Sequence, residues 1–175
     1  TYYDAGYVDI EDRTIKNYDG KGRGTVSMQE VLNQSLNTGV AYISELLGPD
    51  RFREYFYKLK LGSETGIDLP NEGRGLVKNL ESPRKVEYAT ASFGQGIALT
   101  PIGAVRALAT LSNGGVLITP HIAKQKEFAN GDVHTVSFPV GDRVYSEETS
   151  EEITRMLVKV VDTALRQGKL KKEHY

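Results

Sequence analysis

The 175-residue chain has no cysteine, which removes thiol catalysis, disulfides and cysteine-ligated zinc. That absence is compatible with an oxidising space outside a membrane. Neither sign of charge is in excess. Against 23 Asp and Glu stand 22 Lys and Arg, for a net charge of -1, so the basic surplus of a polyanion-binding surface is missing and no nucleic-acid partner is expected. The run Lys169-Leu170-Lys171-Lys172 is short and reads as a solvated helix end. No apolar stretch approaches the ~18 residues that span a bilayer. The opening Thr1-Tyr2-Tyr3-Asp4 has neither the basic start nor the apolar core of a secretion signal. Because it begins without Met, the chain is expected to be a fragment or a processed product. His121, His134 and His174 are scattered without ligand spacing, so neither a metal site nor a cofactor is expected. The tyrosines are spread along the chain rather than gathered into a stacking platform. There is no internal repeat, no low-complexity segment and no recognisable carboxylate pair.

What is present suits one domain with a real core: 39% hydrophobic and 26% charged residues. In residues 1–26, Tyr7-Val8-Asp9-Ile10 and Thr14-Ile15-Lys16-Asn17-Tyr18 read as two short strands around a turn, followed by a glycine-rich loop. Ser27-Met28-Gln29-Glu30 is a capping box that opens the helical part. Val40, Ile43 and Leu47 fit one helix face, stopped by Gly48-Pro49. A further helix is expected over 50–61, with Phe52, Tyr55, Phe56 and Leu59 on one face. Residues 62–96 are rich in glycine and proline and read as a long excursion with one short helix at 86–91. Thr100-Pro101 starts another helix, with Ile102, Val105, Ala109 and Ser112 on one face and Gly114-Gly115 at its end. Segments 122–128 and 133–138 flank Asn130-Gly131, a hairpin signal. The last helix, about 147–166, is capped by Ser146, closed by Gly168, and carries Ile153, Met156, Leu157, Val160, Val161, Ala164 and Leu165 at helical spacing.

Ser35-Leu36-Asn37 falls where one helix should end and the next begin. Within a helix, positions i and i+2 point about 200° apart, so the two side chains serve one ligand only if the chain breaks there. Asn37 is a good N-cap and Gly39 weakens a continuous helix, which makes a break reasonable. A hydroxyl can relay a proton, and a carboxamide donates and accepts at once. The alternative is that both residues merely cap the following helix; one asparagine can do both.

The order of Ser35-Leu36-Asn37, then Thr65-Gly66-Ile67-Asp68-Leu69-Pro70-Asn71-Glu72, then Ser92-Phe93-Gly94-Gln95-Gly96 with Thr100-Pro101, resembles the transpeptidase domain of class B penicillin-binding proteins. The likeness runs from about Tyr2 to Val161. It implies an α+β fold: the predominantly helical part of a transpeptidase related to serine β-lactamases, with an incomplete antiparallel sheet, residues 1–175 forming a partial domain.

In that family Ser35 takes part in proton transfer, and Asn37 orients the substrate amide and the lysine of the nucleophile motif. Gln95 becomes a candidate substrate contact, while Asp68 and Glu72 are assigned structural roles. The family's other motifs are Ser-x-x-Lys, which carries the nucleophile, and Lys-Thr-Gly on an edge strand. No Ser-x-x-Lys precedes Ser35, and Lys-Thr-Gly is absent. Truncation at both ends would account for this. Ser82-Pro83-Arg84-Lys85 matches Ser-x-x-Lys but lies after Ser35, in a hydrophilic stretch; it reads as a helix capped by Ser82 with proline at its first position.

The resemblance implies a parent D,D-transpeptidase that crosslinks peptidoglycan stem peptides through a serine acyl-enzyme and is acylated by β-lactams. It implies a place on the extracytoplasmic side of the cytoplasmic membrane in the cell envelope, an anchor outside this chain, and a lipid-II polymerase partner. Two other readings share the fold: a β-lactam hydrolase or sensor, and a non-catalytic scaffold.

Overall fold

A computed structural model describes residues 1–163. The expected helix end at Ala164, Leu165 and Gly168, the basic run at 169–172 and His174 lie outside the described residues.

The first 26 residues form two antiparallel ribbons. Strand β1 (Tyr2–Asp4) pairs with β4 (Gly24–Val26), and β2 (Tyr7–Ile10) pairs with β3 (Arg13–Lys16). The inner ribbon matches the sequence expectation; the outer one was not anticipated. Its strands, Tyr2-Tyr3-Asp4 and Gly24-Thr25-Val26, are three residues each and carry no apolar–polar alternation in sequence; a buried polar side chain joins them. Asp4 is 1% exposed. Its carboxylate accepts from the amides of Gly6 (2.9 Å) and Arg23 (3.1 Å), from Asn17 Nδ2 (2.9 Å) and from the Thr38 hydroxyl (2.8 Å). A charge buried this deeply is costly unless its lone pairs are met, and here four donors meet them. Asn17 Oδ1 in turn faces the Thr38 hydroxyl (3.0 Å) and accepts from the Thr38 amide (3.3 Å).

Helix α1 (Met28–Asn33) is capped by Ser27, whose hydroxyl accepts from the Glu30 amide at 3.1 Å. The reciprocal half of the capping box does not form. Glu30 instead accepts from Gln34 Nε2 and Asn33 Nδ2, and these bonds hold its carboxyl below the usual range. After a left-handed Ser35 (φ 51°), α2 (Asn37–Leu47) begins. Its core-facing side is not Val40, Ile43 and Leu47 but Thr38, Ala41 and Ser44. Small residues let α2 approach α4 (Lys85–Ala91) closely, and the larger side chains line an open groove beside α3 (Pro49–Lys58).

Helix α4 starts without a side-chain cap of its own. Glu11, at φ 55° in the β2–β3 turn, supplies one: its carboxylate accepts from the amides of Lys85 (3.1 Å) and Val86 (3.3 Å). The ribbon therefore sits over the α2–α4 pair, and Ile10, Ile15, Ala41, Val86 and Ala89 form one core cluster. A second cluster, Phe52, Leu80, Tyr88 and Ala91, joins α3, α4 and a 3-10 turn at Lys78–Glu81. There Arg53 Nη2 donates to the Tyr88 hydroxyl (2.6 Å), which donates to the Leu80 carbonyl (2.7 Å). The end of α3 comes earlier than expected: Leu59 caps it and Lys60 turns left-handed.

Thr100 caps α5 (Pro101–Ser112) through the Gly103 amide at 3.2 Å, as the sequence indicates. The buried face differs from the expected one. Gly103, Arg106 and Thr110 face inward, while Val105 and Leu108 are 59% and 62% exposed. Strands β5 (Gln125–Glu127) and β6 (Val133–Thr135) form the expected hairpin, closed by the Phe128 amide on the Asp132 carbonyl (2.9 Å). Helix α6 (Glu147–Thr163) packs on α1 and α5 largely by polar contacts. Ser150 and Thr154 donate to the Leu111 carbonyl, and Gln29 Nε2 donates to the Met156 carbonyl (3.0 Å). Within its described part only Ser150 is buried; Ile153, Met156, Val160 and Val161 are half-buried, and Leu157 and Val158 face solvent.

Replacing Asp4 by Ala strands four donors. The expected cost is about 3 kcal/mol, which for a domain of this size lowers Tm by about 6–12 °C. Thermal unfolding followed by circular dichroism checks this; a change within about 2 °C would mean the carboxylate is not the tie described.

Candidate functional site

Strand β3, the start of α2, helix α4 and the turn after α4 enclose a cavity of about 400 Å³. Lys16 comes from β3, Asn37 from α2, Glu87 and Thr90 from α4, and Phe93 and Gln95 from the turn. Of the three residues singled out from the sequence, the cavity takes Asn37 and Gln95 but not Ser35.

The Ser35–Thr38 stretch explains how. Burial alternates along it: Leu36 and Thr38 are completely buried, Ser35 is exposed and Asn37 is half-buried. The helices do break here, with Leu36 extended between them. Asn37 is not the cap, however; that position falls to Leu36, and Asn37 is the first helical residue. Its Nδ2 is thereby free to reach across and donate to the Lys16 carbonyl at 3.1 Å. Ser35 is kept at the turn by its amide on the Leu32 carbonyl (3.1 Å) and holds a left-handed conformation that few serines adopt.

Gln95 is exposed at the tip of the turn and is anchored by its amide on the Thr90 carbonyl (3.0 Å). The glycine after it is required. Gly96 has φ 76°, and a Cβ there would lie 2.7 Å from Asn79 Nδ2, which donates to Glu87 at 3.1 Å. Arg84, at the mouth of the cavity, pairs with Asp12 and approaches Glu11 (3.8 Å) and Glu87 (3.9 Å). Lys16 has no carboxylate within ion-pair distance among the described residues. The cavity thus offers two carboxamides (Asn37 and Gln95), the cations of Arg13, Lys16 and Arg84 and the Glu87 carboxylate: a surface suited to a peptide's amides and charges rather than to an apolar ligand.

Ser82 lies elsewhere. It follows the 3-10 turn with extended backbone, and its hydroxyl accepts from the Arg84 amide at 3.2 Å. It does not cap α4, whose cap is Arg84, and it shares no helix with Lys85. The correction has a simple origin: the Ser-Pro pair closes a turn of its own before the helix begins.

Asp68 and Glu72 act on the backbone. Asp68 accepts from the amides of Ile122 and Ala123 (both 2.7 Å), tying the excursion to the segment after α5. Glu72 accepts from the Thr65 hydroxyl and amide (both 2.6 Å) and the Gly66 amide (2.9 Å). The Thr65 hydroxyl, then the amides and the charge of Arg106, hold the Glu72 carboxyl below its ordinary range. Arg106 itself is only 3% exposed and donates to the carbonyls of Thr65 (3.2 Å) and Lys60 (3.0 Å). Burial pushes its guanidinium down, with Glu72 opposing. No sequence signal marked Arg106, which sits in an otherwise apolar helix; Asp4, Asn17 and Lys16 were equally unmarked.

The sequence model of the penicillin-binding protein transpeptidase domain matches residues 1–175. The chain belongs to this family. Stage V sporulation protein D of Bacillus subtilis (strain 168) is 36% identical over 162 residues, covering 91% of this chain and 25% of that protein. The peptidoglycan D,D-transpeptidase FtsI homolog of Mesostigma viride is 30% identical over 184 residues, 91% of this chain and 31% of its own length. Penicillin-binding protein 3 of Mycobacterium tuberculosis, solved with aztreonam, has the same fold with a TM-score of 0.85 at 26% identity, covering 93% of this chain and 36% of that one. The α+β architecture is thus the transpeptidase fold, and the chain spans about a quarter of the length of the sporulation protein.

The depressed Glu72 pKa has a definite sign. Its stabilisation is present above the unfolded value of about 4.3 and is lost as pH falls through the lower folded value. The Tm gap between the unsubstituted protein and Glu72→Gln is therefore expected to be full at neutral pH and to close in acid. Thermal melts from pH 7 to 3 measure it; a gap that widens in acid would contradict the assignment.

Proposed function

We propose that the protein carrying this chain is a peptidoglycan D,D-transpeptidase, with residues 1–175 supplying one wall of its active site. The observation that carries the reading is the meeting of Asn37 and Gln95 in one polar cavity, within a chain of the transpeptidase family. In the reaction, a serine hydroxyl attacks the carbonyl of the penultimate D-alanine of a stem peptide. The terminal D-alanine leaves as the amine, and a second stem peptide's amine then takes the acyl group from the serine. Asn37 would hold a substrate amide beside that carbonyl, Ser35 would pass protons at the rim of the same turn, and Gln95 would contact the peptide from the opposite wall.

Neither a Ser-x-x-Lys ahead of Ser35 nor a Lys-Thr-Gly occurs in these 175 residues, so in this reading both come from elsewhere in the protein. A β-lactam acylates the same serine. The proposal places the enzyme in the cell envelope, outside the cytoplasmic membrane, beside a lipid-II polymerase. In this reading the anchor is a segment outside this chain; among the described residues no helix is long and apolar enough to cross a membrane.

Labelling with a fluorescent penicillin tests this. The whole protein is expected to take one penicilloyl group, Asn37→Ala to slow labelling about 100-fold, and Ser82→Ala to leave it unchanged. The 175-residue chain alone is expected to take none, because the activated nucleophile is missing. Intact-mass and peptide mapping give the answer: an adduct on Ser35 or Ser82 would overturn the assignment of the wall, and a whole protein that is never labelled would favour a scaffold.

A further inference from the structure

We propose that Asp4, acting through Thr38 and Asn17, is a positioning residue that fixes which end of the Asn37 carboxamide faces the cavity. The inference rests on the reading of Asn37 given above and adds residues to it that touch neither substrate nor nucleophile.

Each end of the Asn37 side-chain bond is held by its neighbours in the chain. Its donor, Nδ2, belongs to a residue flanked by Leu36 and Thr38, both completely buried. Its acceptor is the carbonyl of Lys16, joined by one peptide bond to Asn17, which is 3% exposed. Asp4 holds both neighbours. It accepts from the Thr38 hydroxyl at 2.8 Å and from Asn17 Nδ2 at 2.9 Å, while Asn17 Oδ1 closes the triangle by accepting from the Thr38 amide at 3.3 Å, with the Thr38 hydroxyl oxygen 3.0 Å away. The Asn17 amide also donates to the Gly6 carbonyl at 3.1 Å, which ties the end of β3 to the β1–β2 turn. The distance between the Asn37 Cα and the Lys16 carbonyl is thereby set one residue away on each side by a single buried carboxylate.

The chemical consequence concerns the amide's two ends. With Nδ2 on the Lys16 carbonyl, Oδ1 is left as an acceptor for a donor in the cavity, such as a peptide N–H or an ammonium. The flipped amide would set Oδ1 against the Lys16 carbonyl, oxygen against oxygen, and turn the donor end into the cavity. Loosening the Asp4 triangle lets the Lys16 carbonyl withdraw and removes the preference between the two orientations. Asn37 would keep its place in the chain and lose its polarity.

The test is a double-mutant cycle on penicillin acylation of the whole protein, with the acylation step separated from the preceding binding equilibrium. Thr38→Val keeps the shape of the side chain and removes its donor. It is expected to slow the acylation step about 10-fold while leaving the binding constant within about two-fold. Thr38→Ser, which restores the hydroxyl, is expected to recover most of the rate. In an Asn37→Ala background Thr38→Val should change the rate less than about two-fold, since its effect runs through the side chain already removed.

Rates that multiply in the double variant would overturn the inference, as would an unslowed Thr38→Val alongside a slowed Asn37→Ala; either leaves the role of Asn37 standing. Should Asn37→Ala itself label at the normal rate, the reading of the wall fails and this inference goes with it. Asn17→Ala is run in parallel and breaks the same triangle from the other side. If neither it nor Thr38→Val folds at the assay temperature, the triangle serves stability alone and the proposal is lost.

Discussion

The carboxylate of Asp4 is the constraint on which the N-terminal half depends. A charge placed in the interior must be met by donors or it expels the surrounding chain toward water. Here the donors come from four stretches of sequence: the β1–β2 turn, the end of β3, the loop before β4 and the first turn of α2. Meeting Asp4 therefore brings together segments whose own propensities are weak. The outer ribbon pairs only three residues a side, and such a ribbon has little stability alone. The same carboxylate turns two marginal strands and a helix start into one rigid corner.

That corner presents Asn37 to the cavity. Between α1 and α2 the backbone passes through a left-handed serine, then alternates buried and solvent-facing residues for one short stretch. Leu36 and Thr38 act as pegs in the core, and Asn37 is left projecting between them toward the cavity. On the opposite side, Gly96 permits a close approach to Asn79, and the Gln95 amide is anchored on the Thr90 carbonyl. Left-handed or crowded backbone of this kind costs free energy and persists only where its surroundings enforce it. In a chain of the transpeptidase family it coincides with the residues proposed above as one wall of the active site.

Helix starts, the hairpin and the break at Ser35 were legible from the sequence because each has a local cause. Ser27 and Thr100 cap the amides three residues on, Asn130-Gly131 turns the β5–β6 chain, and Gly48-Pro49 stops α2. Helix faces were less legible. For α2 the spacing points to Val40, Ile43 and Leu47 and for α5 to Ile102, Val105, Ala109 and Ser112, yet the buried sides are Thr38-Ala41-Ser44 and Gly103-Arg106-Thr110. Close helix packing favours small residues, and a buried arginine whose two Nη groups donate to backbone carbonyls has no apolar signature. The Ser82 turn failed for a related reason: a serine–proline pair suits a helix start and a tight turn equally well.

The sequence by itself determined the family, through the order and chemistry of Ser35-Leu36-Asn37, the Thr65–Glu72 segment and the glycine-rich turn around Gln95. Such motifs survive in one dimension because each is short and its residue types are chemically specific. Only the tertiary structure decided which of them share a cavity. It joined Asn37 to Gln95 and left Ser35 outside the cavity, it moved the helix cap from Asn37 to Leu36, and it revealed Asp4 and Asn17 behind them. A buried polar triangle assembled from residues 4, 17 and 38 has no period and no spacing rule. It exists only when the chain has folded back far enough for one carboxylate to find all of its donors.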